Sequence, residues 1–502
     1  MTTSARHWWV LATAGSAQLM VVLDSTVVTI ALPSVQQDLA MSDASRGWVV
    51  AAYALAFGGL LLPGGRLSDT LGARRTFVVG LVGFALASAL AGLTPTAGLL
   101  FAGRAAQGVF AALLAPAALA IISAAFTDHR ARGIAFGVYG ALTGAGAVIG
   151  LLLGGALTQY LDWRWCLLIN IPIAGIALVG ALTVTADRPT RRMRPDLVGA
   201  GSSAAGMAAL VFALAEVANR GWADPLVVVP LVTGVLLLVV FVIAQRTAAH
   251  PLLPLGVLLD RTRGGALLAI GLPQLALFGF FLVLTYWFQQ LLGYPPIRAG
   301  LAFLPLALAI AVGSTLIAGL LAPRLAARRL IVPALVVMAA GMALLVGLTP
   351  DAQGLYLTRF LPAEILIGLG LGCAINPAVA AATSGVDGAD TGAASAAVNA
   401  VTQLGGSIGT ALLNTVAATA AAAALRTAPG PDAIVAGFDA ALLTATAILL
   451  LAALIVALVM PRGRPRRPAP AAGREGPGST PDSDACGTTG TSGGAKGASP
   501  VA

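Results

Sequence analysis

The chain has 502 residues, of which 58% are hydrophobic and only 10% are charged. Soluble domains are usually about 45–50% apolar and about 25% charged, so this composition excludes an ordinary soluble protein and favours one whose surface faces lipid. The formal net charge of +9 is typical of nucleic-acid binding. Because the arginines lie in short loops between apolar runs, we instead expect a lipid bilayer as partner and no nucleic acid.

Fourteen apolar runs predict an all-α polytopic membrane protein, because each approaches the roughly 20 residues that a helix needs to cross a bilayer. The runs are continuously apolar and lack the period-two alternation of a membrane β-barrel. They lie near residues 8–33, 47–65, 76–94, 98–124, 133–158, 163–185, 197–218, 226–245, 264–289, 299–320, 330–348, 358–383, 394–423 and 437–460.

The arginines predict how these helices are oriented. Fifteen arginines lie in loops on the same side as the N-terminus, and six lie in loops on the other side. Because cytoplasmic loops carry the excess of basic residues, we expect both termini in the cytoplasm and a multi-pass protein of the plasma membrane. The sequence after Met460 is rich in Pro, Gly, Ser and Thr, which predicts a disordered cytoplasmic tail.

An internal repeat indicates two related halves. Residues 65–75 and 319–329 have the same length, begin with Gly and end with Arg-Arg, and each follows the second helix of a six-helix group. Duplicated halves with a site between them are common in transporters. The predicted domains are two six-helix bundles, two helices inserted between them, and the tail: 1–195, 196–263, 264–460 and 461–502.

The first copy of the repeat predicts a conformational latch. Its two glycines permit tight turns, and its aspartate can accept hydrogen bonds from helix amides or from an arginine of another helix. Such a contact could break and re-form between two states, although an ordinary basic loop would look similar. The candidate residues are Gly65, Arg66, Asp69, Gly72, Arg74 and Arg75.

Three charged residues inside predicted spans are candidates for proton coupling. An aspartate in a span costs roughly 2.5–3.5 kcal/mol on insertion scales, which indicates that Asp24 is functional. Arg104 lies at a similar depth in helix 4, so we expect substrate and proton to compete for Asp24 while Arg104 tunes its affinity. Glu364 in helix 12 is a candidate second proton or cation site. Each residue has an alternative interpretation: Asp24 as a structural hydrogen-bond anchor, Arg104 as part of a static ion pair, and Glu364 as the site of a hydrogen bond that faces the bundle.

Helix 5 carries closely spaced glycines that expose bare backbone to a neighbouring helix. Gly146, Gly150 and Gly154 recur every four residues, and Gly155 follows directly. The pattern predicts a close helix contact, which either takes part in the conformational change or serves packing alone.

These motifs resemble those of the major facilitator superfamily and, more narrowly, of the fourteen-helix drug:proton antiporters. The resemblance covers about residues 1–460. It rests on the 65–75 loop, on the helix-1 and helix-4 stretches around Asp24 and Arg104, and on the Trp-rich segment 162–172. It implies proton-coupled export of hydrophobic or amphipathic drugs or antibiotics by alternating access. Helix 5 lacks the proline of the family's Gly-Pro-Gly motif, so an importer or facilitator of a small metabolite remains the alternative.

The remaining expectations concern the substrate and other ligands. A mostly apolar cavity with scattered polar groups suits amphipathic or cationic compounds. Its candidate lining residues are Tyr53, Phe57, Gln107, Gln274, Tyr286, Asn376, Asn399 and Gln403. The sparse cysteines and histidines have no metal-ligand spacing, and no phosphate-binding loop is present. We therefore expect no metal, no cofactor and no enzymatic activity, but a monomer that moves a small molecule and protons.

Overall fold

Fourteen helices and no strand occupy the described part of the chain in this computed structural model. It describes residues 3–42, 45–126, 128–183, 196–247, 260–322, 324–349, 354–383, 391–425 and 431–461. The helices are α1 (Thr3–Asp38), α2 (Trp48–Leu71), α3 (Ala73–Gly92), α4 (Ala97–Ala125), α5 (His129–Tyr160), α6 (Trp165–Thr183), α7 (Leu197–Arg220), α8 (Pro225–Thr247), α9 (Arg261–Leu291), α10 (Pro296–Leu321), α11 (Ala327–Ala343), α12 (Tyr356–Thr383), α13 (Thr391–Ala424) and α14 (Pro431–Val459).

The predicted all-helical fold is confirmed for these ranges. Ten of the helices are long and apolar enough to cross a membrane. Three others contain shorter apolar stretches, at Trp48–Leu61, Ile149–Tyr160 and Val198–Leu214. The fourteenth, α11, has 17 residues. The predicted disordered tail lies outside the described residues.

The helices form two groups that are joined by an inserted pair. In the first group α2 and α3 pack on α4, and α1 packs on α5 and α6. In the second group α9 packs on α13, α11 on α12, and α13 on α14. Helices α7 and α8 pack on each other, and α7 also touches α2 and α13. The predicted boundaries at 195/196 and 460/461 fall at the edge of segments that the structure does not describe, whereas the one at 263/264 falls in the first turn of α9. The division into domains stays a prediction.

Buried apolar side chains hold each group together. Phe77 and Phe84 are fully buried in the first core, among α1 to α6. In the second core the rings of Phe288 and Phe360 meet edge to face at a centroid distance of 5.1 Å. This second core extends onto α1, where Val27 is fully buried. Helix α1 is therefore packed between the two groups, and its residues can respond to both.

Glycines of α5 bring α1 into backbone contact. A Cβ atom at Gly154 would lie 2.8 Å from the carbonyl oxygen and 2.9 Å from the Cα atom of Val27. A Cβ atom at Gly150 would collide with the hydroxyl oxygen of Thr26. At Gly146 it would lie 3.2 Å from Val22. Since backbone atoms cannot move aside as a flexible side chain can, α5 fixes the position of α1.

Replacing Gly154 with alanine should therefore destabilise the protein, because the new methyl group meets the backbone of Val27. Overpacking of this kind costs about 1–3 kcal/mol. Gly175→Ala is the matched control, since Gly175 lies on an exposed part of α6 with no atom near its Cβ position. Thermal melting of the detergent-solubilised variants measures the difference. Equal melting temperatures for the two variants would contradict the close contact.

Candidate functional site

A buried carboxylate network occupies the middle of the first group of helices. Asp24 of α1 and Arg104 of α4 are both fully buried, and the arginine donates from Nη1 to Asp24 Oδ2 in an ion pair. The other carboxylate oxygen of Asp24 accepts from Gln107 Nε2 at 2.9 Å and from Asn170 Nδ2 at 2.7 Å. The structure thus brings Asp24 and Arg104 together, as their similar depths predicted.

The donors of Asp24 are themselves held in place by further contacts. Arg104 donates from Nε to the carbonyl of Val49 at 3.0 Å and from Nη1 to the side-chain oxygen of Gln107 at 2.8 Å. The guanidinium also lies 4.5 Å from the ring centre of Tyr53. Ser88 Oγ accepts from Gln107 at 2.7 Å. Residues from α1, α3, α4 and α6 therefore meet in one network, supported by α2.

This arrangement suits an ionised carboxylate, because charge-assisted hydrogen bonds to a guanidinium and two amides replace the water lost on burial. Three polar atoms at its edge are nevertheless buried without a hydrogen-bond partner in the described structure: Arg104 Nη2, Asn170 Oδ1 and Tyr53 Oη. Unsatisfied buried groups are rare in native structures. The network therefore has capacity for a different set of hydrogen bonds.

Glu364 is a second buried carboxyl group, in a different environment. It lies on α12 with no exposed surface, and its carboxyl group is next to the backbone of Leu306 on α10. Neither of its oxygens has a hydrogen-bond partner of acceptable geometry within the described ranges. An isolated ionised carboxylate is very costly to bury, so this environment suits the neutral acid.

The predicted latch is only partly visible. Gly72 separates α2 from α3 with φ of 92°, a conformation that glycine adopts easily. Arg74 donates to the carbonyls of Ala181 and Leu182 at 3.1 and 2.8 Å, at the last turn of α6.

The other predicted latch residues have the following surroundings. The Cβ position of Gly65 is 3.7 Å from Pro116 on α4. Arg66 is half-buried and Arg75 is exposed. The side chain of Asp69 lies outside the described part of the chain, so its role stays a prediction.

The two groups of helices meet where α1 ends and α2 begins, which we call the closed end. Tyr286 of α9 donates its hydroxyl to Gln36 at 2.6 Å. Arg46 lies 3.8 Å from the ring centre of Tyr286 and donates to Asn414 at 3.4 Å. Nearby, a Cβ atom at Gly155 would lie 2.6 Å from the carbonyl of Pro296 on α10. These contacts join the first group to the second.

A small cavity, the interface cavity, lies between the two groups and has a volume of about 40 Å³. Its lining comes from α1, α2, α5, α9 and α13: Ser25, Thr26, Thr29, Val50, Leu151, Phe278, Phe281, Leu282 and Thr410. None of the eight predicted substrate residues is among these.

The predicted substrate residues on the first group have other surroundings. Tyr53 and Gln107 belong to the Asp24 network, and the ring of Phe57 lies 5.7 Å from that of Tyr53. All three are buried within the group.

Those on the second group are scattered. Tyr286 lies at the closed end. Gln274 is half-buried, and its side-chain oxygen has no hydrogen-bond partner among the described residues. Asn376 is exposed and Asn399 is half-buried. The side chain of Gln403 is not described. Their role in substrate binding stays a prediction.

Sequence reasoning missed two members of the network. Asn170 lies in the Trp-rich segment, and an amide in an apolar run is itself a signal of a buried polar contact. Ser88 carries no such signal, because a serine in a membrane helix can satisfy its hydroxyl on its own backbone.

Comparison with known families and proteins gives a consistent result. The sequence profile described as Major Facilitator Superfamily matches residues 14–410. The puromycin resistance protein pur8 of Streptomyces alboniger is 56% identical over 456 residues, which cover 90% of this chain and 90% of that protein. The cephamycin export protein CmcT of Amycolatopsis lactamdurans is 39% identical, with coverages of 81% and 84%. The lincomycin resistance protein of Streptomyces lincolnensis is 35% identical, with coverages of 82% and 84%.

Solved structures support the fold. A bacterial homologue of the human lysosomal transporter Spinster, in an inward-facing and unoccupied conformation, has a TM-score of 0.62 and 16% identity, and the match covers 90% of this chain and 97% of that one. An auto-inhibited POT family peptide transporter has a TM-score of 0.66 and 17% identity, with coverages of 93% and 99%.

Substituting Tyr286 with phenylalanine should loosen the closed end, because it removes the hydrogen bond to Gln36 while the ring still packs. A net loss of about 0.5–1.5 kcal/mol shifts the population of the open form roughly two- to twelvefold. Spin labels at Leu93 and Leu357, two exposed positions on different groups, report the separation. Tyr160→Phe, at an exposed residue at the end of α5, is the control. Identical distance distributions for the two variants would rule out this contribution.

Proposed function

The chain belongs to the major facilitator superfamily, and we propose that it exports antibiotics across the plasma membrane in exchange for protons. It is a multi-pass membrane transporter and not an enzyme, related to proteins of antibiotic resistance and export. One observation carries the proton coupling: a carboxylate, Asp24, is buried in the centre of the first group with one cation and two amide donors.

A buried carboxyl group can couple a proton to transport when its partners change with conformation. In the described arrangement Arg104 and the amides stabilise the carboxylate of Asp24. Protonation would weaken the ion pair and leave Arg104 to its other acceptors, among them the carbonyl of Val49. The unpartnered atoms at the edge of the network allow this exchange. Proton binding would thus alter how α1 is held against α4 and α6.

The proposed mechanism is alternating access between the two groups of helices. We propose that all fourteen helices cross the membrane, with both termini in the cytoplasm and the closed end facing outwards. The family's fold and the contacts of Tyr286, Arg46 and Gly155 across the closed end support two groups that separate there. The Arg74 contact with α6 is the part of the proposed latch that the described residues support.

The relatives favour export over import, because their names describe resistance to or export of antibiotics. Puromycin is the first candidate substrate, since the puromycin resistance protein is 56% identical to this chain. The missing proline in α5 does not oppose this direction, because glycine backbone contact with α1 is retained at Gly150 and Gly154. The proposed transporter acts as a monomer, uses no cofactor and is driven by the proton gradient.

Glu364 is the proposed second proton-binding residue. Its buried carboxyl group forms no ion pair in the described structure and is next to the backbone of Leu306, whereas Asp24 is paired with Arg104. The two carboxyl groups therefore differ in their partners within one conformation. A transporter with two such groups can carry more than one proton per cycle.

Asp24→Asn should abolish accumulation of radiolabelled puromycin driven by a proton gradient in inverted membrane vesicles, because an amide cannot release a proton. It also leaves Arg104 without its counter-ion in the core, which is destabilising. The double variant Asp24→Asn/Arg104→Gln removes both charges and separates loss of coupling from loss of folding.

Asp38→Asn is the control for that experiment, because Asp38 ends the same helix with 45% of its side chain exposed. It should accumulate puromycin as the unmodified protein does. Normal gradient-driven accumulation by folded Asp24→Asn would refute the proposed coupling, and no accumulation by the unmodified protein would refute puromycin export.

Glu364→Gln should lower the number of protons exchanged per drug molecule, because glutamine keeps the shape of the side chain but carries no acidic proton. The ratio of proton flux to drug flux in proteoliposomes measures this. Glu216→Gln is the matched control for this substitution, because Glu216 lies on the inserted helix α7 and pairs with Arg220 at 3.0 Å. An unchanged ratio in Glu364→Gln would exclude this residue as a proton carrier.

A further inference from the structure

The lining of the interface cavity combines side chains of two kinds. Four are hydroxyl side chains, Ser25, Thr26 and Thr29 of α1 and Thr410 of α13. Helix α9 contributes two aromatic rings, Phe278 and Phe281. Both groups of helices therefore line this cavity, which lies next to the helix that carries the buried carboxylate.

The hydrogen bonds of the four hydroxyl groups decide what they can offer a ligand. Each hydroxyl donates its proton to a backbone carbonyl about one turn earlier in its own helix, at 2.8 Å for Ser25, 3.0 Å for Thr26, 3.0 Å for Thr29 and 2.9 Å for Thr410. A hydroxyl group has one proton and two acceptor lone pairs. Because each proton is already bonded, a ligand meets these side chains as hydrogen-bond acceptors.

The aromatic rings add a second preference. The faces of phenylalanine rings carry partial negative charge and attract cations, most strongly where water is excluded. Phe281 is held by neighbouring rings, with its centroid 5.4 Å from that of Phe303 and 5.9 Å from that of Phe280. A lining that combines hydrogen-bond acceptors with aromatic rings suits a ligand that combines N–H donors, a positive charge and a planar ring.

We propose that the interface cavity is the substrate site and that it selects aromatic compounds bearing a protonated amine with free N–H donors. This inference rests on the proposed export function and names its substrate class. It places recognition on Ser25, Thr26, Thr29 and Thr410 instead of on the eight residues that the sequence indicated.

The size of the cavity fits a closed state of this site. About 40 Å³ holds roughly three or four water molecules, at roughly 10–15 Å³ each. An aromatic amine enters only when the two groups of helices move apart, and the cavity widens then because its walls belong to both. The hydroxyl of Thr26 is held in place by α5, since any side chain at Gly150 would collide with it.

Three fluorescent probes of one aromatic core separate charge from hydrogen bonding. Dansylcadaverine carries a primary ammonium, its N,N,N-trimethyl derivative keeps the charge without ammonium N–H donors, and its N-acetyl derivative is neutral. The unmodified protein should export the primary ammonium best in inverted vesicles. Thr29→Val and, separately, Thr26→Val keep the shape and remove an acceptor. Each should reduce transport of the primary ammonium about tenfold, as expected for a lost charge-assisted hydrogen bond, and leave the trimethyl probe unchanged.

Thr446→Val is the matched control. Thr446 is half-buried on α14 and donates to its own helix at 2.8 Å, as the cavity threonines do, but it does not line the cavity. It should transport all three probes as the unmodified protein does. Equal losses for the ammonium and trimethyl probes in the cavity variants would overturn the inference.

Two further outcomes would overturn the inference without ambiguity about the export function. Export of the trimethyl probe as fast as the primary ammonium, or export of no probe at all, contradicts selection by acceptors. With either probe result, the export function remains supported if the unmodified protein accumulates puromycin under a proton gradient and Asp24→Asn does not. Absence of puromycin accumulation as well would instead count against the export function.

Discussion

The ion pair between Asp24 and Arg104 is the constraint around which the first group of helices is arranged. Two charges with no exposed surface are tolerated only when both are paired and hydrogen-bonded, because water no longer solvates them. The amides of Gln107 and Asn170 complete the shell of the carboxylate. Four helices thus meet in one polar network, and a change in the charge of Asp24 alters contacts with several of them.

Helix α1 connects that contact to the rest of the molecule. Asp24 is bonded to α4 and α6 inside the first group, whereas its neighbour Ser25 lines the cavity shared with the second group. The bare backbone at Gly150 and Gly154 of α5 holds α1 between the two. A proton and a substrate could therefore act on the same helix without touching each other.

Local properties of the sequence account for the success of the helix predictions. Length and hydropathy are additive along the chain, so fourteen apolar runs correspond to fourteen helices with ends shifted by a few residues. Depth along a helix is additive as well, which is why Asp24 and Arg104 could be placed at one level. The rotation of a helix about its own axis cannot be obtained by such a sum along the chain, because it depends on which neighbour the helix packs against. The sequence therefore did not indicate that the cavity hydroxyls face one another.

The sequence by itself determined an all-helical membrane transporter of this superfamily, with two buried carboxyl groups, a buried arginine and a glycine-rich fifth helix. Only the tertiary structure decided that Asp24 is paired with an arginine whereas Glu364 has no ion-pair partner among the described residues. It also decided that Gln107 and Tyr53 belong to the Asp24 network, and that hydroxyl and aromatic side chains line the cavity. The physical reason is that hydrophobicity and charge are properties of single residues. Pairing and cavity lining are relations between helices distant in sequence. The hydropathy of a membrane helix does not indicate which of its faces packs against another helix, because lipid-facing and helix-facing sides are both apolar.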